Sequence, residues 1–273
     1  MGEFDCRRFL EKRLRWIAAN KPLVHHITNY VVKNQTANAT LCMGALPVMA
    51  HAVAEVEEMA SQAGALVINM GTPYPDLEEA MLAAGKAANR CGVPVIFDPV
   101  GAGATSYRTR LALKLAEGIR FAVVRGNAAE VAVLAGMEAE IRGVESISTG
   151  EEAGAVARRA ASRLGCVTAV TGEVDVVSNG SRAMRVYNGH PLLGRVTGTG
   201  CMATTAIAVL STPGEPFLEA AAAALALFGL AGERAAEISG DRPGTFQVEL
   251  YNALYKLCTG LDLEGLRVVG ESG

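Results

Sequence analysis

Three short runs, ALVINM at residues 65–70, VPVIFD at 93–98 and FAVVR at 121–125, are apolar without alternation, and each runs straight into a glycine or proline. A strand that shows water neither face reads as a continuous apolar run, the pattern of parallel strands covered by helices on both sides. Alanine-rich stretches fill the gaps and predict helices over 53–63, 76–90 and 106–117. This alternation prescribes an α/β fold. From Cys166 to Tyr187 the pattern changes to three strand-like runs joined at Thr171-Gly172-Glu173 and Ser178-Asn179-Gly180. Those turns predict hairpins, and so an antiparallel edge on a largely parallel central sheet. Beyond Arg195 the chain reads as helical almost to its end, over 200–210, 216–238 and 246–258. With no Pro/Ser-rich linker, low-complexity tract or repeat, residues 1–273 read as a single domain.

Composition narrows the function classes. Half of the residues are hydrophobic and 19% charged, so the chain can bury a core, and a net charge of −3 offers no basic field for nucleic acid. The longest apolar run, Ala220 to Gly232, has 13 residues, whereas a membrane span needs ~20. Arg7, Arg8, Lys12, Arg13 and Arg15, interleaved with Phe9, Leu10, Leu14, Trp16 and Ile17, predict an amphipathic surface helix rather than a signal segment. The six cysteines are widely spaced and form no CxxC or Cys/His cluster, which fits reduced thiols in the cytoplasm rather than zinc or a disulfide framework.

The segment richest in chemistry is VTGTGCMA at 196–203, a glycine turn feeding an apolar helix. Such a turn points backbone N–H groups at a ligand from the positive end of the helix dipole, which suits a phosphate or a developing oxyanion. Gly198, Gly200 and Ala203 match GxGxxG/A, but the context is wrong for a dinucleotide site, because only further helices follow. A glycine-rich helix start used for close packing is the alternative. Asp98 ends a buried strand and is followed by PVGAGAT, while Arg125 leads into GNAAE with Asn127 and Glu130. Ligands of open parallel sheets collect beyond the carboxyl ends of the strands, where these side chains could converge on Mg²⁺ carried by nucleotide phosphates. Taken singly, Asp98 reads equally as a turn residue and Glu130 as a first-turn helix acid.

In order and spacing, DPVGAGAT, RGNAAE, AVTGEVD and VTGTGCM, with HHITNYVVKNQTANATLCMGALPVMA and INMGT before them, resemble the hydroxyethylthiazole kinases of the ribokinase-like superfamily. The resemblance runs over roughly residues 10 to 260. It implies a ribokinase-like fold with helices on both faces of the sheet, and phosphorylation of the hydroxyl of 5-(2-hydroxyethyl)-4-methylthiazole by ATP and Mg²⁺. It also implies that Gly198, Thr199, Gly200 and Cys201 form an anion hole, with Cys201 where most of the superfamily has aspartate. By the same resemblance Arg125 and Thr171 contact ATP, and Asp98 and Glu130 act on the metal directly or through water. Met49 and Gly198 touch the thiazole alcohol, with Asn29, Gly71 and Thr72 close by, and the protein is a homotrimer with active sites between subunits. The chain departs from the family pattern at Leu46, which bears on the alcohol pocket, and at Ala128-Ala129; serine is usual at both places.

On this reading Cys201 orients or deprotonates the alcohol, its thiol pKa of ~8.5 lowered by the helix dipole. Two rivals stand beside it: a ribokinase-like enzyme acting on another vitamin-type alcohol, and a hydrolase or acyltransferase with Cys201 as nucleophile, for which no histidine is near in sequence. His25 and His26 read as partly exposed donors before a turn, His51 and His190 as structural or surface residues, and Met43 and Met59 as core filler.

Overall fold

The computed structural model describes residues 4–137 and 150–271. In chain order its elements are α1 (Cys6–Asn20), β1 (Leu23–Ile27), α2 (Lys33–Cys42), β2 (Leu46–Val48), α3 (Val56–Gln62), β3 (Ala65–Asn69), α4 (Pro75–Cys91), β4 (Val95–Asp98), α5 (Ser106–Gly118), β5 (Val123–Asn127), α6 (Ala128–Ala135), α7 (Gly150–Leu164), β6 (Val167–Thr171), β7 (Asp175–Ser178), β8 (Ala183–Val186), a 3₁₀ turn at Pro191–Arg195, α8 (Thr199–Ser211), α9 (Phe217–Ser239), α10 (Pro243–Gly260) and β9 (Val268–Glu271). The strands form one nine-stranded sheet in the order β2-β1-β3-β4-β5-β6-β7-β8-β9. Pairing is parallel from β2 through β6 and antiparallel from β6 to β9.

The period of two along each strand sorts its apolar side chains onto the two faces. Val67, Ile96 and Val123 pack with Leu14, Ile17, Val209, Phe228 and Leu254 from α1, α8, α9 and α10. Their neighbours Leu66, Ile68, Val95, Phe97 and Val124 pack with residues of α3, α4 and α5. Both faces are thus covered, which is why β3 and β4 read as unbroken apolar runs. The apolar run at 220–232 lies inside α9 and is buried throughout. A helix that is apolar all round can be a core helix, and no helix among the described residues is long and apolar enough to cross a membrane.

One expectation is corrected and two gain a detail. His25 and His26 lie in β1 and are fully buried, each with a hydrogen bond inside the fold, to Ala50 O at 2.8 Å and Thr40 Oγ1 at 3.0 Å. The predicted surface helix α1 seats Leu10, Leu14 and Ile17 in the core and also buries Arg13, whose guanidinium donates to Leu210 O, Gly214 O and Glu215 O where α8 ends. The three helices expected after Arg195 are present, and a short strand that was not foreseen, β9, follows them and extends the antiparallel edge.

Candidate active site

The carboxyl ends of the parallel strands lie side by side and finish in polar residues: Asn29 just beyond β1, Asn69 on β3, Asp98 on β4, Asn127 on β5 and Thr171 on β6. Register pairs Asn69 with Asp98 and Asn127 with Thr171. The first turn of α8 packs against this row, and two glycines allow the approach. Gly198 has φ +91°, and a Cβ there would stand 2.9 Å from Val32; a Cβ on Gly200 would stand 2.8 Å from Arg125 Nη1. The helix geometry leaves the N–H groups of Thr199, Gly200 and Cys201 without intrahelical acceptors, and the Met202 N–H is the first to be taken, by Gly198 O at 2.9 Å. The Thr199 hydroxyl donates to Leu193 O at 2.7 Å, so this residue offers its backbone to the site.

Asn69 joins the row to the helix. Its Nδ2 donates to Asp98 Oδ2 at 2.9 Å and to Cys201 Sγ at 3.1 Å, while its Oδ1 accepts from Asn29 Nδ2 at 2.7 Å and from the Gly71 N–H at 3.0 Å. The amide orientation follows from this network, since the reverse would set oxygen against a carboxylate and N–H against N–H. Gly71 leaves room for the arrangement, because a Cβ there would lie 2.5 Å from Asn29 Nδ2.

Asp98 is fully buried. Its Oδ2 also accepts from Thr204 Oγ1 at 2.8 Å, whereas Oδ1 has no hydrogen-bond partner and lies 4.0 Å from Arg125 Nη1. Burial pushes its pKa up to about 6, with Arg125 pulling the other way and Glu130 adding to the rise. Arg125 donates through Nη2 to Thr171 Oγ1 at 2.6 Å, and its buried Nε has no acceptor. A guanidinium has five donors, so this one retains capacity for a planar anion. Next to it opens a cleft of about 660 Å³, whose lining includes Arg125, Asn127, Thr171, Gly200, Asn188, Gly189 and Phe228.

The expectation of a thiolate at Cys201 is overturned. Burial first, and then the nearby Asp98, push the thiol up to about 12, and hydrogen bonds from Asn69 and Asn29 oppose them less strongly. Desolvation outweighs the helix dipole here. Glu130 realises its alternative reading as a cap: Oε2 accepts from the Asn127 N–H at 3.0 Å, Asn127 Oδ1 accepts from the Glu130 N–H at 2.9 Å, and Oε1 accepts from the Gly101 N–H at 2.8 Å. Among the described residues no group of three or more His, Cys, Asp or Glu is placed to hold a metal ion.

The family model for hydroxyethylthiazole kinases matches residues 14–260. Over 246 residues the chain is 53% identical to the hydroxyethylthiazole kinase of Desulfatibacillum aliphaticivorans, an alignment spanning 90% of this chain and 91% of that one. The chain belongs to the hydroxyethylthiazole kinase family. The solved structure of the hydroxyethylthiazole kinase protein from Pyrococcus horikoshii OT3 is similar with a TM-score of 0.88 at 43% identity, over 97% of this chain and 100% of that one. A ribokinase-like superfamily protein from Enterococcus faecalis V583, 14% identical, shares the fold with a TM-score of 0.65 over 93% of this chain and 97% of that one. The fold is ribokinase-like.

Within this kinase fold, Asn29, Gly71, Asp98, Arg125, Thr171, Gly200 and Cys201 form one connected group through Asn69 and the start of α8. Thr72 joins it by accepting from the Tyr30 N–H at 3.2 Å. Met49 lies just past the edge strand β2; its carbonyl accepts from His51 Nδ1 at 2.7 Å, and the other nitrogen of that ring meets Thr28 beside Asn29. Leu46 is on β2 and exposed, away from the connected group. Asn69 and Thr204 were not singled out from sequence. Asn69 does carry a usable signal: it is the one polar residue in the apolar run at 65–70.

Proposed function

We propose that this chain transfers the terminal phosphoryl group of ATP to the hydroxyl of 5-(2-hydroxyethyl)-4-methylthiazole, in thiamine biosynthesis or salvage. One observation carries the reading: successive residues of the first turn of α8 meet different neighbours, Gly200 the Arg125 guanidinium and the cleft, Cys201 the amides of Asn29 and Asn69. The free N–H groups thus lie between a nucleotide side and an alcohol side. In-line transfer needs positioning and charge neutralisation at this point.

The alcohol oxygen attacks phosphorus as the bond to the bridging oxygen of ADP breaks, and the hydroxyl proton leaves late in such a transition state. Cys201, a neutral thiol, is therefore assigned the orienting role alone, holding the hydroxyl by hydrogen bonding, and the proton passes to a phosphoryl oxygen or to water as the ester forms. The thiol's partners are two amides and no imidazole, which counts against a nucleophilic cysteine. Arg125, with Thr171, is assigned to the ATP phosphates. The bare, buried Oδ1 of Asp98 fits a cation that draws its other ligands from phosphate and water, with Glu130 reached through water. Mg²⁺ bound there would neutralise phosphate charge. Met49, Gly198, Asn29, Gly71 and Thr72 are assigned to the alcohol side.

We also read the 273 residues as one kinase domain that works as a homotrimer with sites between subunits. Exposed Tyr30, Val31, Leu41 and Leu46, on and around the β2 edge, support that assembly. Six unpaired cysteines support a reducing, cytoplasmic location. ADP release measured across a panel of thiazole and pyrimidine alcohols tests the reading. The thiazole alcohol should support the highest kcat/KM; preference for a pyrimidine alcohol, or ADP release indifferent to the alcohol, would overturn it.

A further inference from the structure

One wall of the cleft is formed at Asn188 and Gly189, which belong to no strand or helix, so contacts from other elements must hold them. From below it rests on α9, where a Cβ on Gly229 would lie 2.4 Å from Asn188 O. From behind it is held by one carboxylate. Glu233 Oε1 accepts from the Gly189 N–H at 2.8 Å and from Asn188 Nδ2 at 3.2 Å. The same oxygen accepts from Arg267 Nη2 at 2.6 Å. Arg267 in turn ties the wall to the segment entering β9: its N–H donates to Asn188 Oδ1 at 2.7 Å, and its Nη2 donates to Tyr187 O at 2.8 Å. Asn188 Nδ2 closes the set on Gly265 O at 2.9 Å.

We propose that Glu233 is a positioning residue for the nucleotide: backed by Arg267, it fixes the Asn188–Gly189 wall at the distance from Arg125 and Thr171 that ATP requires. This rests on the assignment of the cleft to ATP. Glu233 lies behind the wall and touches no reacting atom; it acts through the Gly189 N–H, which it turns away from the ligand. The segment entering β9 accordingly supports the nucleotide site through Arg267 without lining it.

Calorimetric binding of a non-hydrolysable ATP analogue, with steady-state kinetics, tests the proposal. Glu233→Ala should weaken analogue binding and raise the KM for ATP by about tenfold, the scale of one lost charge-assisted hydrogen bond. The KM for the alcohol should stay within about twofold, a split that loss of general stability would not produce. Glu233→Gln, which keeps an acceptor for the Gly189 N–H, should restore most of the affinity. Unchanged binding in a folded Glu233→Ala, equal rises in both KM values, or a Glu233→Gln as weak as the alanine variant would each overturn the proposal. Should Glu233→Ala not fold, Arg267→Met is the substitute: weaker analogue binding supports the brace, and wild-type affinity refutes it. A wild-type protein that does not bind the analogue would instead refute the assignment of the cleft, and the brace with it.

Discussion

Replacing Gly200 with alanine should separate function from stability. Gly200 is helical, so alanine fits its backbone and gains about 0.5–1 kcal/mol of helix propensity. The added methyl, however, would stand 2.8 Å from Arg125 Nη1, 3.2 Å from Nη2 and 3.4 Å from Cζ. The end of an arginine moves easily, so little strain is stored, but the guanidinium must leave the position from which it donates to Thr171 at 2.6 Å. A displaced charge-assisted hydrogen bond costs about 1.5–3 kcal/mol. For folding the gain offsets only part of the loss, leaving about 0.5–2.5 kcal/mol of destabilisation, and Tm should fall by less than about 10 °C. For ATP nothing offsets the loss, and the KM should rise about 10- to 100-fold with the KM for the alcohol nearly unchanged. Thermal melts and initial rates on one preparation give both numbers. A Gly200→Ala protein with wild-type KM for ATP would refute the reasoning, because Arg125 would then have no fixed part in nucleotide binding.

Cys201→Ala should lower kcat by about 10- to 100-fold, the scale of one lost orienting hydrogen bond, while the KM for ATP changes little, and Cys201→Asp should retain substantial activity; steady-state rates decide, and intact-protein mass spectrometry during turnover should find no phosphorylated or acylated cysteine. Asn69→Ala should reduce kcat in wild type but add little in a Cys201→Ala background, and strictly additive losses would show that Asn69 does not act through the thiol. His26 donates from Nε2 to Thr40 Oγ1, whose own proton goes to Thr36 O, so its bare Nδ1 has no acceptor to meet if protonated. Burial holds its pKa down to about 3, so its share of stability is complete above the unfolded value near 6.5 and is lost as pH falls toward 3. Asp98 and Asp175, both raised, act in the opposite sense, so the comparison is with His26→Gln: in urea melts the advantage of wild type should shrink by ~2 kcal/mol between pH 7.5 and pH 5. Light scattering should give the mass of a trimer, and a fully active monomer would contradict a shared site.

What could be read from sequence follows the physics of burial. β3, β4 and β5 were legible because two covered faces demand continuous apolar runs, and the glycines at 198 and 200 because close approach excludes a side chain. β1 was not, since HHITNY looks polar until the partners of His25 and His26 are known. β2 and β9 are short strands on the two edges of the sheet, with little apolar pattern to find. Within the site, Asp98 and Arg125 stood out as charges at strand ends, whereas Asn69 is neutral, and its sequence signal, a polar residue in an apolar run, says nothing of the partners it joins at Asn29, Asp98 and Cys201. The thiol of Cys201 was misjudged because a helix start is visible in sequence and desolvation is not. Glu233 had no local sign at all: it is one acid in a long helix, and its partners lie 34 or more residues away.

The central claim is tested most directly by identifying the product. Purified protein should be incubated with ATP, Mg²⁺ and 5-(2-hydroxyethyl)-4-methylthiazole, and the mixture followed by phosphorus NMR and mass spectrometry. A thiazole phosphate monoester should appear in step with ADP, one for one. ADP accompanied only by inorganic phosphate, or a thiazole recovered without phosphate, would contradict it.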